Sequence, residues 1–189
     1  MRITRHLVSA ALLLAASGLP AFATTMRHLD TRSLVVGSSE IVVGTVESTR
    51  AHWSADHKKI FTDVDIAVSE SLKGGGAPRI TLSQLGGELD GIRYSVQGGP
   101  LFRAGEEAVV FVWRDARGTA QVNGLAQGKF DITRDAKGVA TVQRGVPGFA
   151  VQDVRHLNSV QAGRPAPRLT LDDLKGEIRR VLEQPEDGR

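Results

Sequence analysis

Between residues 60 and 72, Ile60, Thr62, Val64, Ile66, Val68 and Leu72 fall on one face, and Asp63, Asp65, Ala67, Ser69 and Ser71 on the other. Only Glu70 is out of place. Period-two alternation predicts a β-strand. Thirteen residues is long for a strand, since five or six is usual, and that length suits a strand that bends around a barrel or a coiled sheet. Just upstream, residues 41–53 (IVVGTVESTRAHW) begin with a β-branched run and carry Gly44 where a strand would bulge or bend. The polar residues 54–59 (SADHKK) supply a turn, so the two strands are expected to form a long hairpin.

The remaining pattern is shorter-ranged. Residues 29–40 place Leu29, Leu34 and Val35 at helical spacing, with Asp30 or Thr31 as N-cap, and predict a short helix. The run from Lys73 through Gly76 to Pro78 breaks the long strand, and residues 79–85 restart alternation through Ile80, Leu82 and, out of phase, Leu85. Residues 86–105 read as a long glycine-rich passage interrupted only by IRYSV. Residues 107–113 are the most apolar strand downstream of residue 23. A run without alternation implies burial on both faces, so a helix or loop should cover its outer side. Further strands are expected at 120–123, 129–133 and 139–143, separated by the turns Asp115-Ala116-Arg117-Gly118 and Asp135-Ala136-Lys137-Gly138. Residues 144–169, with Pro147, Pro165 and Pro167, read as a tether. Residues 170–184 then form an amphipathic helix with an apolar stripe of Leu171, Leu174, Ile178, Val181 and Leu182, opened by a Thr170/Asp173 capping pair. It is expected to pack on the barrel rather than stand exposed as a partner helix.

The first residues change how the charge is read. Arg2 and Arg5 precede an apolar stretch too short to span a bilayer, and Ala21-Phe22-Ala23 is a small-x-small cleavage site. Residues 1–23 are therefore expected to be a signal peptide cleaved after Ala23, leaving a barrel domain over 24–143 and placing the product in the periplasm or outside the cell. Its removal takes two arginines and no acid, lowering the formal net charge from +3 to +1. A balance so near zero, without runs of like charge, predicts neither a nucleic-acid partner nor stable membrane insertion. The chain has no cysteine, so an apolar core and not disulfides must hold the fold.

Chemical motifs weigh against an enzyme. Gly124 to Phe130 (GLAQGKF) has three residues between its glycines and Phe after Lys, unlike a phosphate-binding loop, and reads as strand punctuation. No HExxH or GxSxG occurs. His52 and His57 flank the predicted turn and read as solvated, while Asp63 and Asp65 share a polar strand face that serves solubility. No cofactor, metal site or catalytic residue is expected.

The order VVGSSE, IVVGTVESTRAHWSADHKKIFTDVDIAVSESLKGG, a Gly-Gly loop, GEEAVVFVW and GLAQGKFDI resembles a family of uncharacterised exported bacterial proteins over roughly residues 34–142. More remotely, the VVGTV strand, the alternating strand ending at Leu72-Lys73-Gly74 and the apolar strand 108–112 are similar to the netrin-like domain of tissue inhibitors of metalloproteinases. That resemblance implies a mainly β, OB-like barrel of five to seven strands with a C-terminal α-helix. In those inhibitors an N-terminal cysteine caps the protease zinc; this chain would begin Thr24-Thr25, so the barrel carries over and the inhibitory residues do not. The implied role is a non-enzymatic exported protein that binds another protein, such as a secreted metalloprotease, as its partner, chaperone or inhibitor. The alternative is a carbohydrate or cell-surface binding module. The expected binding surface is 86–105, where Arg93, Tyr94 and Phe102 stand among glycines.

Overall fold

A computed structural model describes residues 28–144 and 169–184. The expected signal peptide at 1–23 lies outside the described residues, as do residues 145–168 of the expected tether. Helix α1 spans Thr31–Gly37 and is capped by the Asp30 carboxylate, which accepts a hydrogen bond from Ser33 N at 2.8 Å. Strands β1 (Glu40–Trp53) and β2 (Ile60–Lys73) form the expected long hairpin around the 54–59 turn. They are followed by β3 (Arg79–Leu85), β4 (Gly87–Leu89), β5 (Ile92–Tyr94), β6 (Glu107–Arg114) and β7 (Ala120–Val122). A 3-10 turn at Leu125–Gly128 leads into β8 (Lys129–Arg134), then β9 (Ala140–Arg144), β10 (Leu169–Thr170) and helix α2 (Leu171–Glu183).

The described fold is mainly β, one large antiparallel sheet with a C-terminal helix. Its order is β10-β9-β8-β6-β1-β2-β3, with β7 pairing the far end of β6. The sheet coils enough to bring β3 alongside β7, although no ladder joins them among the described residues. The expectation of five to seven strands is corrected: eight strands make the main sheet, and β4 and β5 pair separately. The extra strands are two or three residues long, too short to show alternation. The described ends of the expected tether, Arg144 and Leu169, are themselves strand residues of β9 and β10.

Strand β6 lies at the centre and separates two apolar cores, as its unbroken hydrophobic run requires. Ala108, Val110 and Val112 face the concave side with Val42, Val46, Val64, Ile66, Ile80 and Leu82. Val109 and Phe111 face the other side with Ile41, Val43 and Phe130, and there α1 and α2 cover the sheet. Helix α2 carries the expected capping box between Thr170 and Asp173 and buries Leu171, Leu174 and Ile178. Each contributes roughly 1.5–3 kcal/mol relative to an exposed side chain. No helix among the described residues is long and apolar enough to cross a membrane.

Bulges explain the one residue that broke the β2 pattern. Val43 pairs with Glu70 but Gly44 pairs with Val68, so Ser69 is an extra residue on β2. Beyond it the parity inverts: Glu70 ion-pairs with Lys175 of α2 and Leu72 packs in the helix-covered core, not with Val64 and Ile66. Gly44 sits at this bulge because a Cβ there would lie 2.4 Å from the carbonyl oxygen of Ala67.

Candidate functional site

The concave core is not filled to its end. Along β2 and β3, inward positions run Ile66, Val64 and Thr62 against Ile80, Leu82 and Gln84. Past Val64 and Leu82 the lining turns partly polar and opens into a pocket of 440 Å³. Thr49, Thr62, Val64 and Gln84 line it from the sheet. Residues 85–88, 93–96 and 99–102 supply the rest, including Glu88, Arg93, Tyr94, Val96, Leu101 and Phe102.

The passage over 86–105 is not structureless, as its glycine content suggested. Leu89 pairs with Ile92 around Asp90-Gly91, both at positive φ (53° and 75°), which makes β4 and β5 a two-residue-turn hairpin. Gly87, at φ 144°, lets this hairpin cross β2 closely; a Cβ there would lie 2.5 Å from Thr62 Oγ1. The Thr62 hydroxyl donates to Gly86 O at 2.7 Å, and Trp53 Nε1 donates to Asp90 Oδ2 at 2.9 Å, tying the hairpin to β2 and β1. The following loop is pinned where Ala126 N donates to Gly98 O at 2.9 Å, and where Gly105 N donates to Val46 O at 2.8 Å.

All three residues chosen from sequence line this one pocket. Arg93 projects from β5, and its guanidinium donates to Glu88 Oε2 at 3.0 and 2.7 Å across the hairpin. Tyr94 is partly exposed beside it. Phe102 is half-buried against the concave core, and Lys129 Nζ sits 4.8 Å from its ring centre. That lysine is itself buried, with Glu106 at 2.7 Å and Asp131 at 2.5 Å neutralising it. Phe102 is thus a wall residue held from behind, whereas Arg93 and Tyr94 belong to the mouth. Leu85 and Leu101 are also exposed at the lining.

Sequence reasoning missed Gln84. It is buried, lines the pocket, and its Nε2 has no hydrogen-bond partner among the described residues. The signal was present: Ile80 and Leu82 set a phase that puts residue 84 inward, where a polar side chain is unexpected.

The other groups weighed from sequence lie elsewhere. Asp65 accepts from Thr81 Oγ1 at 2.6 Å and Ser48 Oγ at 2.9 Å, and these hydrogen bonds hold its carboxyl below the ordinary carboxylate range. His52 contacts Trp53 O at 3.1 Å and Asp63 Oδ1 at 3.2 Å, which raise it above its ordinary 6.5, the backbone contact most. Both belong to the outer face of the β1–β2 hairpin.

The polar equipment of the pocket is an amide, hydroxyls and a closed ion pair around an apolar wall, a set suited to recognition by shape and hydrogen bonding. No protein-family model matches this sequence, and no curated protein matches it either.

Proposed function

We propose that this chain is an exported, non-enzymatic binding protein that engages a partner protein at the mouth of the pocket beneath residues 86–105. The observation that carries the reading is convergence: Leu85, Tyr94 and Leu101, all exposed, gather with Arg93 around one concavity. Scattered exposed apolar residues are ordinary, but a cluster rimmed by polar groups marks an interaction site. Tyr and Arg are the side chains most enriched at interface hot spots. The hairpin's ties to Trp53 and Thr62 hold this surface ready before binding, which lowers the ordering cost.

On the same reading the coiled sheet is an OB-type, netrin-like barrel, and the partner is a secreted protease served as a chaperone or restrained as an inhibitor. A zinc-capping N-terminal cysteine is not part of that role, because the chain has none.

The test is the double variant Arg93→Ala with Tyr94→Ala, compared with the natural chain for melting temperature and for capture of a partner from the culture fluid or periplasm of the secreting cell. Both side chains are exposed, so melting should hold within about 2 °C, about 0.5 kcal/mol. Capture should weaken about thirtyfold, the equivalent of about 2 kcal/mol at a hot spot. Undiminished capture by the folded variant would remove the surface from the account.

A further inference from the structure

We infer that β5 is an open sheet edge to which the partner adds an extended segment, pairing its backbone with the outward N–H and C=O of Arg93 and setting an apolar side chain in the pocket. This rests on the protein-binding reading above and names the form in which the partner binds.

The phase of the β4–β5 ladder follows from its turn. Asp90 and Gly91, both at positive φ, close a two-residue connection, and in such a hairpin the flanking residues, Leu89 and Ile92, are a hydrogen-bonded pair. Pairs then alternate: Gly87 and Tyr94 are bonded again, and between them the backbone groups of Glu88 and Arg93 turn away from each other. A Cβ on Gly86 would lie 3.1 Å from the carbonyl oxygen of Tyr94, which puts that oxygen on the β4 side, as this phase requires. The N–H and C=O of Arg93 therefore point out of the hairpin, and neither has a hydrogen-bond partner among the described residues.

The edge is open to solvent. Every residue from 91 to 95 is exposed, so among the described residues nothing but β4 lies along β5. Folded proteins commonly guard such an edge with a proline, a lysine, a bulge or a covering loop. None is present here, and the one charge on β5, Arg93, is neutralised by Glu88 at 2.7 Å. The shortness of β5 limits a bridge to the two hydrogen bonds of Arg93, so side-chain contact must add to them. It can, because the edge is also the pocket wall: Arg93, Tyr94, Ser95 and Val96 all line the concavity. A segment bridged to Arg93 runs beside the mouth, where Val96, Pro100, Leu101 and Phe102 offer an apolar seat for one of its side chains. In strand addition the backbone supplies affinity and a pocket selects the side chain. Charge argues against a second copy of this chain as the occupant, since edge-to-edge pairing about Arg93 would set two arginines directly opposite each other.

The test follows the backbone amides of the full chain by NMR while the blocked pentapeptides acetyl-TTLTT-amide and acetyl-TTKTT-amide are added to millimolar concentration, and repeats the titration on Arg93→Ala and Arg93→Pro. Before peptide is added, the Arg93 amide should exchange freely with solvent while the Ile92 amide is protected; the leucine peptide should then protect Arg93 and move its signal downfield. That peptide should bind about tenfold more tightly than the lysine peptide, whose charged end the apolar seat rejects. Both variants lose the guanidinium and only proline loses the outward N–H, so Arg93→Pro should bind the leucine peptide about fivefold to tenfold more weakly than Arg93→Ala. Proline is accepted at an edge whose N–H faces solvent, and the two variants should melt within about 3 °C of each other. Protection of the Arg93 amide in the free chain, equal peptide binding by the two variants, or no binding of the leucine peptide overturns the inference. So does a dimer in sedimentation that Arg93→Pro dissolves, which would make the occupant a second copy. The two readings fail separately. Partner capture that is as strong in Arg93→Pro as in Arg93→Ala removes the strand pairing and leaves protein binding standing, whereas peptide binding by a chain that captures nothing leaves only the open edge.

Discussion

Truncating Val110 measures whether β6 is the centre of this fold. Val110 is fully buried, pairs with Val42 of β1 and Lys129 of β8, and points into the concave core. Val110→Ala removes two carbons, worth about 0.8 kcal/mol each in transfer, and leaves a cavity that strands on both sides prevent from collapsing. The expected loss is about 2–3 kcal/mol, a fall in melting temperature of about 4–12 °C for a chain of this size. Val110→Asp goes further. It buries a carboxylate in the concave cluster, where the cross-strand cation Lys129 is already neutralised by Glu106 and Asp131, at a cost of about 3–5 kcal/mol or more against a total reserve of about 5–15 kcal/mol, and most of the protein should be unfolded at 37 °C. Val139→Ala is the control, because Val139 is 48% exposed in the turn before β9 and its truncation should shift stability by no more than about 0.5 kcal/mol. Calorimetry or circular dichroism on the three variants decides it. A Val110→Ala shift no larger than that of Val139→Ala would refute the central placement of β6 and the two-core arrangement built on it.

Thr170→Ala removes the hydroxyl half of the α2 capping box, in which Thr170 Oγ1 accepts from Asp173 N, and should cost about 1 kcal/mol, read as a drop of about 2–4 °C in melting temperature. Asp65→Asn should lower stability at neutral pH. Because the folded-state pKa of Asp65 lies below its ordinary 3.8, that contribution is present above 3.8 and vanishes as pH falls through the folded value, so melting curves of variant and natural chain should converge in acid. If the chain is exported as proposed, mass spectrometry of the exported protein should find Thr24 as the first residue; an intact Met1 in the exported form would contradict the proposed compartment.

Much of this architecture was legible because it rests on local rules. Alternation and a polar turn marked the β1–β2 hairpin, and an unbroken apolar run marked a strand covered on both faces. The Asp115 and Asp135 turns form as their sequences suggest, each carboxylate accepting from the backbone N–H groups two and four residues on. Glu70 was read as a misfit when it was the sign of a bulge: one extra residue at Ser69 turns it toward Lys175. The β4–β5 hairpin was hidden by its length, although Asp90-Gly91 between Leu89 and Ile92 is a strong turn signal. At the pocket, Arg93, Tyr94 and Phe102 stood out by residue type. Gln84 did not, because a lone polar residue in a short strand acquires meaning only when the opposing strand and the overlying loop are in place. Coiling of the sheet, set by bulges and long-range pairing, decides that, and no local pattern carries it.

The most direct test of partner binding at the pocket mouth is site-specific photo-crosslinking in the exporting cell. A photoreactive residue is placed singly at Leu101, exposed on the pocket lining, and at Val139, exposed in the turn before β9. The account predicts that position 101 joins the chain to a discrete partner polypeptide, that position 139 does not, and that Arg93→Ala with Tyr94→Ala abolishes the adduct at 101. No adduct at 101, or equal adducts at both positions, would contradict it.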